Sequence, residues 1–289
     1  MKNAWKEGKP VKWNIVADSS CDLVKSDLDC EAFGFTTVPF TLRIGEKEYV
    51  DCEGLNTETL LDAMESCPQL GSSACPSPHI WAEEFKKAEQ IIAVTISANL
   101  SGSHNSAVSA KQLALAEQPD KKISVLDSIS TGPAIALLLR HIAEMIRSGL
   151  SFEAINAEAE KLIHSMKTVF ALTCFDNLVK NGRMSKLTGF IAKKLGMWGI
   201  GIGSPEGTIK IKGKARGAAG AVSFIINDLH QRGFQGRELI ISHCHNAAFV
   251  GALREKITEL WPDADITVLK TRGLDSFYAE RGGIILSYL

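Results

Sequence analysis

Ile91-Ile92-Ala93-Val94-Thr95-Ile96-Ser97-Ala98-Asn99-Leu100-Ser101-Gly102-Ser103-His104 is the stretch on which the fold turns. Its first six residues are apolar or β-branched and read as a buried strand. The next seven are mostly small or polar, with a glycine, and read as a loop. A helical pattern starts at His104 and runs over 104–117. A strand that passes through a short polar loop into a helix is half of a βαβ unit, and such units build parallel sheets. The same pattern recurs on both sides. Residues 13–17 form a short apolar run ending in Asp18-Ser19-Ser20, and residues 123–126 form another ending in Asp127-Ser128. Helical patterns over 78–90, 104–117, 133–147 and 151–167 fall between or after these strands. Ser77-Pro78 is a well-formed helix start, because serine can cap free amides and proline at the first helical position loses no bond.

Beyond Lys167 the rhythm changes. A strand over 168–174 precedes a helix pair around 177–195 and the glycine-rich run Met197-Trp198-Gly199-Ile200-Gly201-Ile202-Gly203. A turn at Ser204-Pro205-Glu206-Gly207 and alternating apolar and basic residues over 208–213 predict a β-hairpin. Helices over 218–232 and 247–260 and strands over 238–243, 265–270 and 284–288 complete the pattern. The expectation is an α/β protein of two domains: a parallel-sheet domain over 1–167 and a mixed α/β domain over 168–289, with a ligand cleft between them.

Composition narrows the function. The 289 residues are 45% hydrophobic and carry Lys+Arg 32 against Asp+Glu 33, a formal net charge of −1. Such a balance gives no field to draw in nucleic acid or an anionic membrane, so any ligand is recognised locally. The best apolar run, 134–139, is interrupted by Arg140 and His141 and falls well short of the roughly 18 residues of a membrane span. The positive charges of the N-terminus have no apolar segment behind them, so no secretion signal is expected and the cytoplasm is the expected compartment. Seven cysteines with no CxxC pair argue for reduced thiols and against a zinc knuckle.

Leu100-Ser101-Gly102-Ser103 is the strongest local feature. Free amides at a helix start attract an anion, and Ser101 and Ser103 add hydroxyl donors; the alternative is a plain helix cap with Ser103 as its N-cap. Ser72, Ser73, Cys75 and Ser77 make a second cluster of small polar groups at another helix start. Lys210, Lys212, Lys214 and Arg216 recur at period two and share a strand face, usually a solvated one. His243-Cys244-His245 places two imidazoles on one side of a strand, but no further ligand lies at a supportive spacing, so no metal is expected. Gly207 to Gly213 has the wrong spacing for a P-loop, and GxSxG, GxGxxG in the first strand-helix turn and HExxH are all absent, so neither a catalytic residue nor a cofactor is assigned.

These pieces together resemble the DegV family, in order and through nearly the whole chain. Asp18-Ser19-Ser20 is similar to its opening Asp-Ser-Thr, and Ser73-Ala74-Cys75-Pro76-Ser77-Pro78 to its Thr-Ser-Gln-Pro-Ser-Pro loop. Leu100-Ser101-Gly102-Ser103 resembles Leu-Ser-Gly-Thr, Asn181-Gly182-Arg183-Met184-Ser185 resembles Gly-Gly-Arg-Ile-Ser, and Lys214-Ala215-Arg216 resembles Lys-x-Arg. The resemblance implies a non-catalytic protein that buries one long-chain fatty acid and holds its carboxylate on hydroxyls at the positions of Ser73 and Ser101. Gly102, Ser103, Arg183 and Arg216 belong to the same motifs, and Tyr278 stands where the family has the histidine of His-x-Gly-Pro-Gly. Some members present the acid to a separate kinase protein, so a kinase partner is implied. At Tyr278 a neutral O–H donor replaces a group that can be cationic. The competing reading is a thioesterase or esterase with Ser101 or Cys75 as nucleophile and His104 as base; a third is a divergent binder of another lipid.

Overall fold

A computed structural model of the chain describes residues 11–28, 32–184 and 196–289. The chain starts with β1 (Val11–Asp18) and continues through β2 (Gly34–Val38), β3 (Thr41–Ile44) and β4 (Lys47–Val50) to α1 (Thr57–Ser66). Then come β5 (Ser72–Ala74), α2 (Pro78–Phe85), β6 (Ala88–Thr95), α3 (Ser103–Glu117), β7 (Lys122–Asp127), α4 (Pro133–Arg147) and α5 (Phe152–Ser165). The remainder holds β8 (Lys167–Leu172), α6 (Asp176–Lys180), β9 (Met197–Gly203), β10 (Ile209–Arg216) and α7 (Gly217–Gln231). It ends with β11 (Glu238–His243), α8 (Ala247–Leu260), β12 (Asp265–Lys270), α9 (Gly273–Ala279) and β13 (Ile284–Tyr288).

Three sheets result. The order β2-β1-β6-β7 is parallel throughout, β10-β9-β8-β13-β11-β12 is mixed, and β4-β3-β5 is a small antiparallel sheet. The strands of the parallel sheet all precede Lys167, and those of the mixed sheet start there or later. The architecture is α/β, with the parallel sheet first and the mixed sheet second.

Periodicity fails in two places. The helix expected over 78–90 stops at Phe85, because Ala88 and Gln90 pair with Val11 and Trp13 as the start of β6. Local pattern cannot register a partner strand more than 70 residues away. Of the helix pair expected around 177–195, α6 accounts for the start, and residues 185–195 lie outside the described residues.

Helix α4 joins the two sheets. Ten of its residues, from Pro133 to Ile146, are buried, and it touches β6 on one side and β11 and β13 on the other. A helix apolar around so much of its circumference belongs inside a protein. Ile240 of β11 accordingly shares one core with Ile15 of β1 and Ile135 of α4. The neighbouring Leu239 and Ile241 point the other way, into a second core against α7 and α8, as strand alternation requires.

Asp18 ties the strand ends together. Its carboxylate is fully buried and accepts from the Ile96 amide at 3.0 Å, the Ser103 hydroxyl at 2.7 Å, and the amide and hydroxyl of Ser20. The end of β1, the end of β6 and the start of α3 therefore share one acceptor. Burial raises the Asp18 pKa above its ordinary value, opposed by the hydrogen bonds from Ser20, Ser103 and Ile96. Each buried donor left without a partner costs about 1 to 3 kcal/mol. Asp18→Ala is expected to lower unfolding free energy by at least about 3 kcal/mol in urea titrations, whereas Asp120→Ala on the surface stays within about 0.5 kcal/mol. Equal midpoints for the two variants contradict the role assigned to Asp18.

Candidate ligand-binding site

A cavity of about 810 Å³, including its open mouth, lies between the parallel and mixed sheets. Its walls are apolar: Phe40, Ile96, Leu100 and Ile129 from the first part of the chain face Phe170, Leu172, Leu178, Ile209 and Ile285 from the second. Thr168, Phe170 and Leu172 follow one another on the cavity side of β8 and mark out roughly 13 Å of slot at about 3.3 Å per residue. Opposite them in register, Gly199 and Gly201 of β9 contribute no side chain.

The Leu172 end carries a polar group of four. Leu172 shares a cluster with Leu178, Met184 and Tyr278, and there Ser73, Ser101, Arg183 and Tyr278 all line the cavity. The Ser73 and Tyr278 hydroxyls lie 2.8 Å apart in a hydrogen bond. The Arg183 guanidinium stands 5.9 Å from the centre of the Tyr278 ring, and its Nε donates to the Leu100 carbonyl at 3.0 Å. Among the described residues lining the cavity, Arg183 is the one cation. An apolar slot ended by hydroxyls and one guanidinium is matched to an amphiphile with an anionic head.

Each polar group is placed by a different element. Ser73 sits on β5, opposite Leu42 of β3. Ser101 precedes α3, and its Oγ accepts from the Ser103 amide at 3.2 Å. Tyr278 rides on α9, a helix of seven residues that local propensity cannot sustain. Its start is capped from far away in sequence: the Asp51 carboxylate accepts from the Gly273 and Leu274 amides at 2.8 and 2.9 Å. Arg272 adds donors to the carbonyls of Leu23 and Asp51, each at 2.8 Å. A side chain at residue 273 would collide with Asp51 and Leu55, so glycine there permits the close approach.

At the Thr168 end the hydroxyls satisfy one another. Ser130 and Thr168 are 2.9 Å apart, Thr168 and Ser287 2.8 Å, and the Thr131 hydroxyl donates to Asp275 at 3.0 Å. The turn between β9 and β10 closes over this end, its Gly207 carbonyl accepting from Ser97 at 2.7 Å and its Glu206 carbonyl from Asn99 at 2.6 Å.

Gly102, Ser103 and Arg216 do not line the cavity. Gly102, not Ser103, is the N-cap of α3, and the Ser103 hydroxyl is taken by Asp18. Arg216 lies exposed at the wrong end of β10: it opposes Met197, whereas Ile209 at the cavity end opposes Gly203. Ser185, the last residue of the Arg183 motif, lies outside the described residues. The basic stripe is a strand surface on which Lys210 pairs with Glu206 and Lys212 with Asp228. His243 accepts from the Asn246 amide, while His245 contacts Thr57 and Glu58. The hydrolase reading finds no support in geometry, because His104 Nδ1 is 3.1 Å from the Thr95 hydroxyl and Cys75 Sγ has Ser106 as its hydrogen-bonding neighbour. Sequence reading passed over Asp275 and Thr131 in the wall, and the alternate glycines of β9 were its available clue to the slot.

The model of the DegV family of uncharacterised proteins matches residues 12–287. The chain belongs to the DegV family. A DegV domain-containing protein of Streptococcus pyogenes serotype M1 is 38% identical over 276 residues, covering 96% of this chain and 99% of the relative. Among solved structures, the Streptococcus pneumoniae fatty acid kinase (Fak) B3 protein loaded with linoleic acid superposes with a TM-score of 0.93 at 38% identity, covering 96% and 99% of the two chains. A DegV family protein from Eubacterium eligens loaded with heptadecanoic acid gives 0.90 at 35% identity, covering 95% and 98%.

One wall of this DegV cavity carries an unusual charge arrangement. Asp275 lies in the wall, and Asp22 stands behind it; both are fully buried. Burial pushes Asp22 up to about 7 and Asp275 well above the carboxylate range, the latter raised further by the Asp22 charge. An acid whose pKa is raised by folding holds its proton more tightly in the native state. The contribution of Asp22 to stability is therefore full below about pH 4, declines as pH rises to about 7, and is level above. Asp22→Asn can keep the 2.7 Å bond from the Arg272 amide and has no proton to lose. Thermal unfolding of the variant is expected to fall less steeply between pH 4 and pH 7 than that of the unaltered protein. Parallel curves for the two contradict the assignment.

Proposed function

We propose that the protein binds a long-chain fatty acid without transforming it. The carboxylate sits at Ser73, Ser101, Tyr278 and Arg183, and the alkyl chain lies in the slot that runs towards Thr168. The observation that carries this reading is the slot itself, apolar along its walls and bearing hydroxyls and a guanidinium at one end. Fatty acids in two relatives of similar fold support the choice of ligand.

Burying about 14 methylenes at roughly 0.8 kcal/mol each gives on the order of 11 kcal/mol before binding costs. One charge-assisted hydrogen bond contributes roughly 1.5 to 3 kcal/mol. Retention therefore rests on the chain, and head-group contacts fix orientation. The similarity to a protein of a fatty acid kinase supports a role in which the bound acid is presented to a separate kinase in the cytoplasm. Tyr278 bears on that second step more than on the first, because the acid's oxygen meets a neutral donor where the family motif supplies histidine. Among the described residues no helix is long and apolar enough to cross a membrane.

Delipidated protein titrated with oleate is expected to show saturable binding. Ser101→Ala and Arg183→Leu should each weaken it by about tenfold, the scale of one charge-assisted hydrogen bond, with unfolding midpoints lowered much less than that of Asp18→Ala. Absence of saturable binding counts against the ligand, and unaltered affinity in both variants counts against the site. Native mass spectrometry of protein purified from its host separates a fatty acid from another amphiphile.

A further inference from the structure

The glycines of β9 raise a question that ligand class does not answer: what sets the width of the slot. Strand alternation sends Trp198, Ile200 and Ile202 towards the second core and leaves Gly199, Gly201 and Gly203 on the cavity side. Gly201 pairs directly with Phe170 of β8. The aromatic ring does not stand upright in the slot but lies across its neighbour. A Cβ on residue 201 would collide with Phe170 Cζ and lie 2.6 and 2.8 Å from Cε2 and Cε1. Gly203 differs, since a Cβ there meets Thr168 at 3.5 Å, an ordinary contact.

The ring has few alternatives. It is 7% exposed, is flanked by Phe175 with centroids 6.4 Å apart, and shares its cluster with Leu172, Leu178 and Ile285. The cavity that Phe170 lines is the open space beside it. A ring displaced from Gly201 must therefore swing into the slot. We infer that Gly201, by letting the Phe170 ring lie flat on β9, keeps the slot wide enough for a bent acyl chain and so determines selectivity between cis-unsaturated and straight chains. This assignment rests on the fatty-acid reading and adds to it a residue that no hydrogen bond or charge would single out.

Stearate and oleate have the same number of carbons and the same head group, so their affinity ratio isolates the bend. Gly201→Ala is expected to weaken oleate binding by about tenfold or more and stearate binding by much less, the scale of an overpacked contact. Phe170→Ala removes the displaced ring, so adding Gly201→Ala to it should leave the ratio unchanged. The inference is overturned if Gly201→Ala keeps the original ratio, or if its effect persists in the Phe170→Ala background. Should Gly201→Ala fail to fold, Phe170→Ala alone decides: a ratio shifted towards oleate supports the assignment, and an unchanged one overturns it. If the unaltered protein binds neither acid, the fatty-acid reading itself falls and this inference with it.

Discussion

The buried carboxylate of Asp18 is the point from which the rest of the site is positioned. A parallel sheet brings the carboxyl ends of its strands to one edge, where amides of the following loops have no ladder partner. Asp18 accepts from two such loops and from the first helical residue of α3, so the segment from Ile96 to Ser103 cannot shift as a whole without breaking buried bonds. Leu100 and Ser101 are carried in that segment into the cavity wall. Ser103 thus serves the ligand site only through Asp18. A hydroxyl that looks like a ligand donor in sequence is a positioning residue in structure.

A second set of buried charges does the same for the opposite wall. Asp51 and Arg272 hold the start of α9, and α9 brings Leu274, Asp275, Tyr278 and Ala279 to the cavity. Neither group acts alone: a lone buried carboxylate or guanidinium would cost several kcal/mol, and here the two stand 3.9 Å apart as an ion pair, the carboxylate accepting from the Gly273 and Leu274 amides and the guanidinium donating to the backbone carbonyls of Leu23 and Asp51. The consequence is cooperative. Tyr278 reaches Ser73 only when Asp51, just after β4, and residues of α9 and β5 are all in place. The polar end of the slot is therefore a product of the whole fold and not of either sheet.

Much of this was legible in the sequence, and the limits follow a physical rule. The strand-loop-helix pattern around Ile91 to His104 announced the parallel sheet, and the bounds of α4 and α8 could be read from their own residues. Such elements bury a face at regular spacing, and spacing is visible in one dimension. The segment from Gly34 to Ala74 and the helix α9 were not foreseen. Strands of three to five residues show too few alternations to register, and α9 is held by Asp51 from more than 220 residues away. Ser73 and Ser101 were singled out by their place at helix starts and then by motif resemblance, and Arg183 and Tyr278 by motif resemblance alone, which carries no depth or direction. It could not tell Ser101, which faces the slot, from Ser103, which faces Asp18, or see that Arg216 sits at the far end of its strand.

The same contrast explains why the slot exists at all. A cavity of this size forfeits the dispersion contacts that its lining would make if the two sheets closed on each other. What prevents closure is not a rigid frame around an empty space but the shape of its walls. From Gly199 on, β9 presents only glycines on that side, β8 covers it with a flat ring, and the turn at Glu206 and Gly207 is pinned to Ser97 and Asn99. Hydroxyls at the Thr168 end bond among themselves and ask nothing of an occupant, whereas Arg183 at the other end presents charge to the cavity. On the proposed fatty-acid reading, that asymmetry would favour one orientation of an amphiphile, with the charged head at the guanidinium and the tail displacing water from the apolar walls.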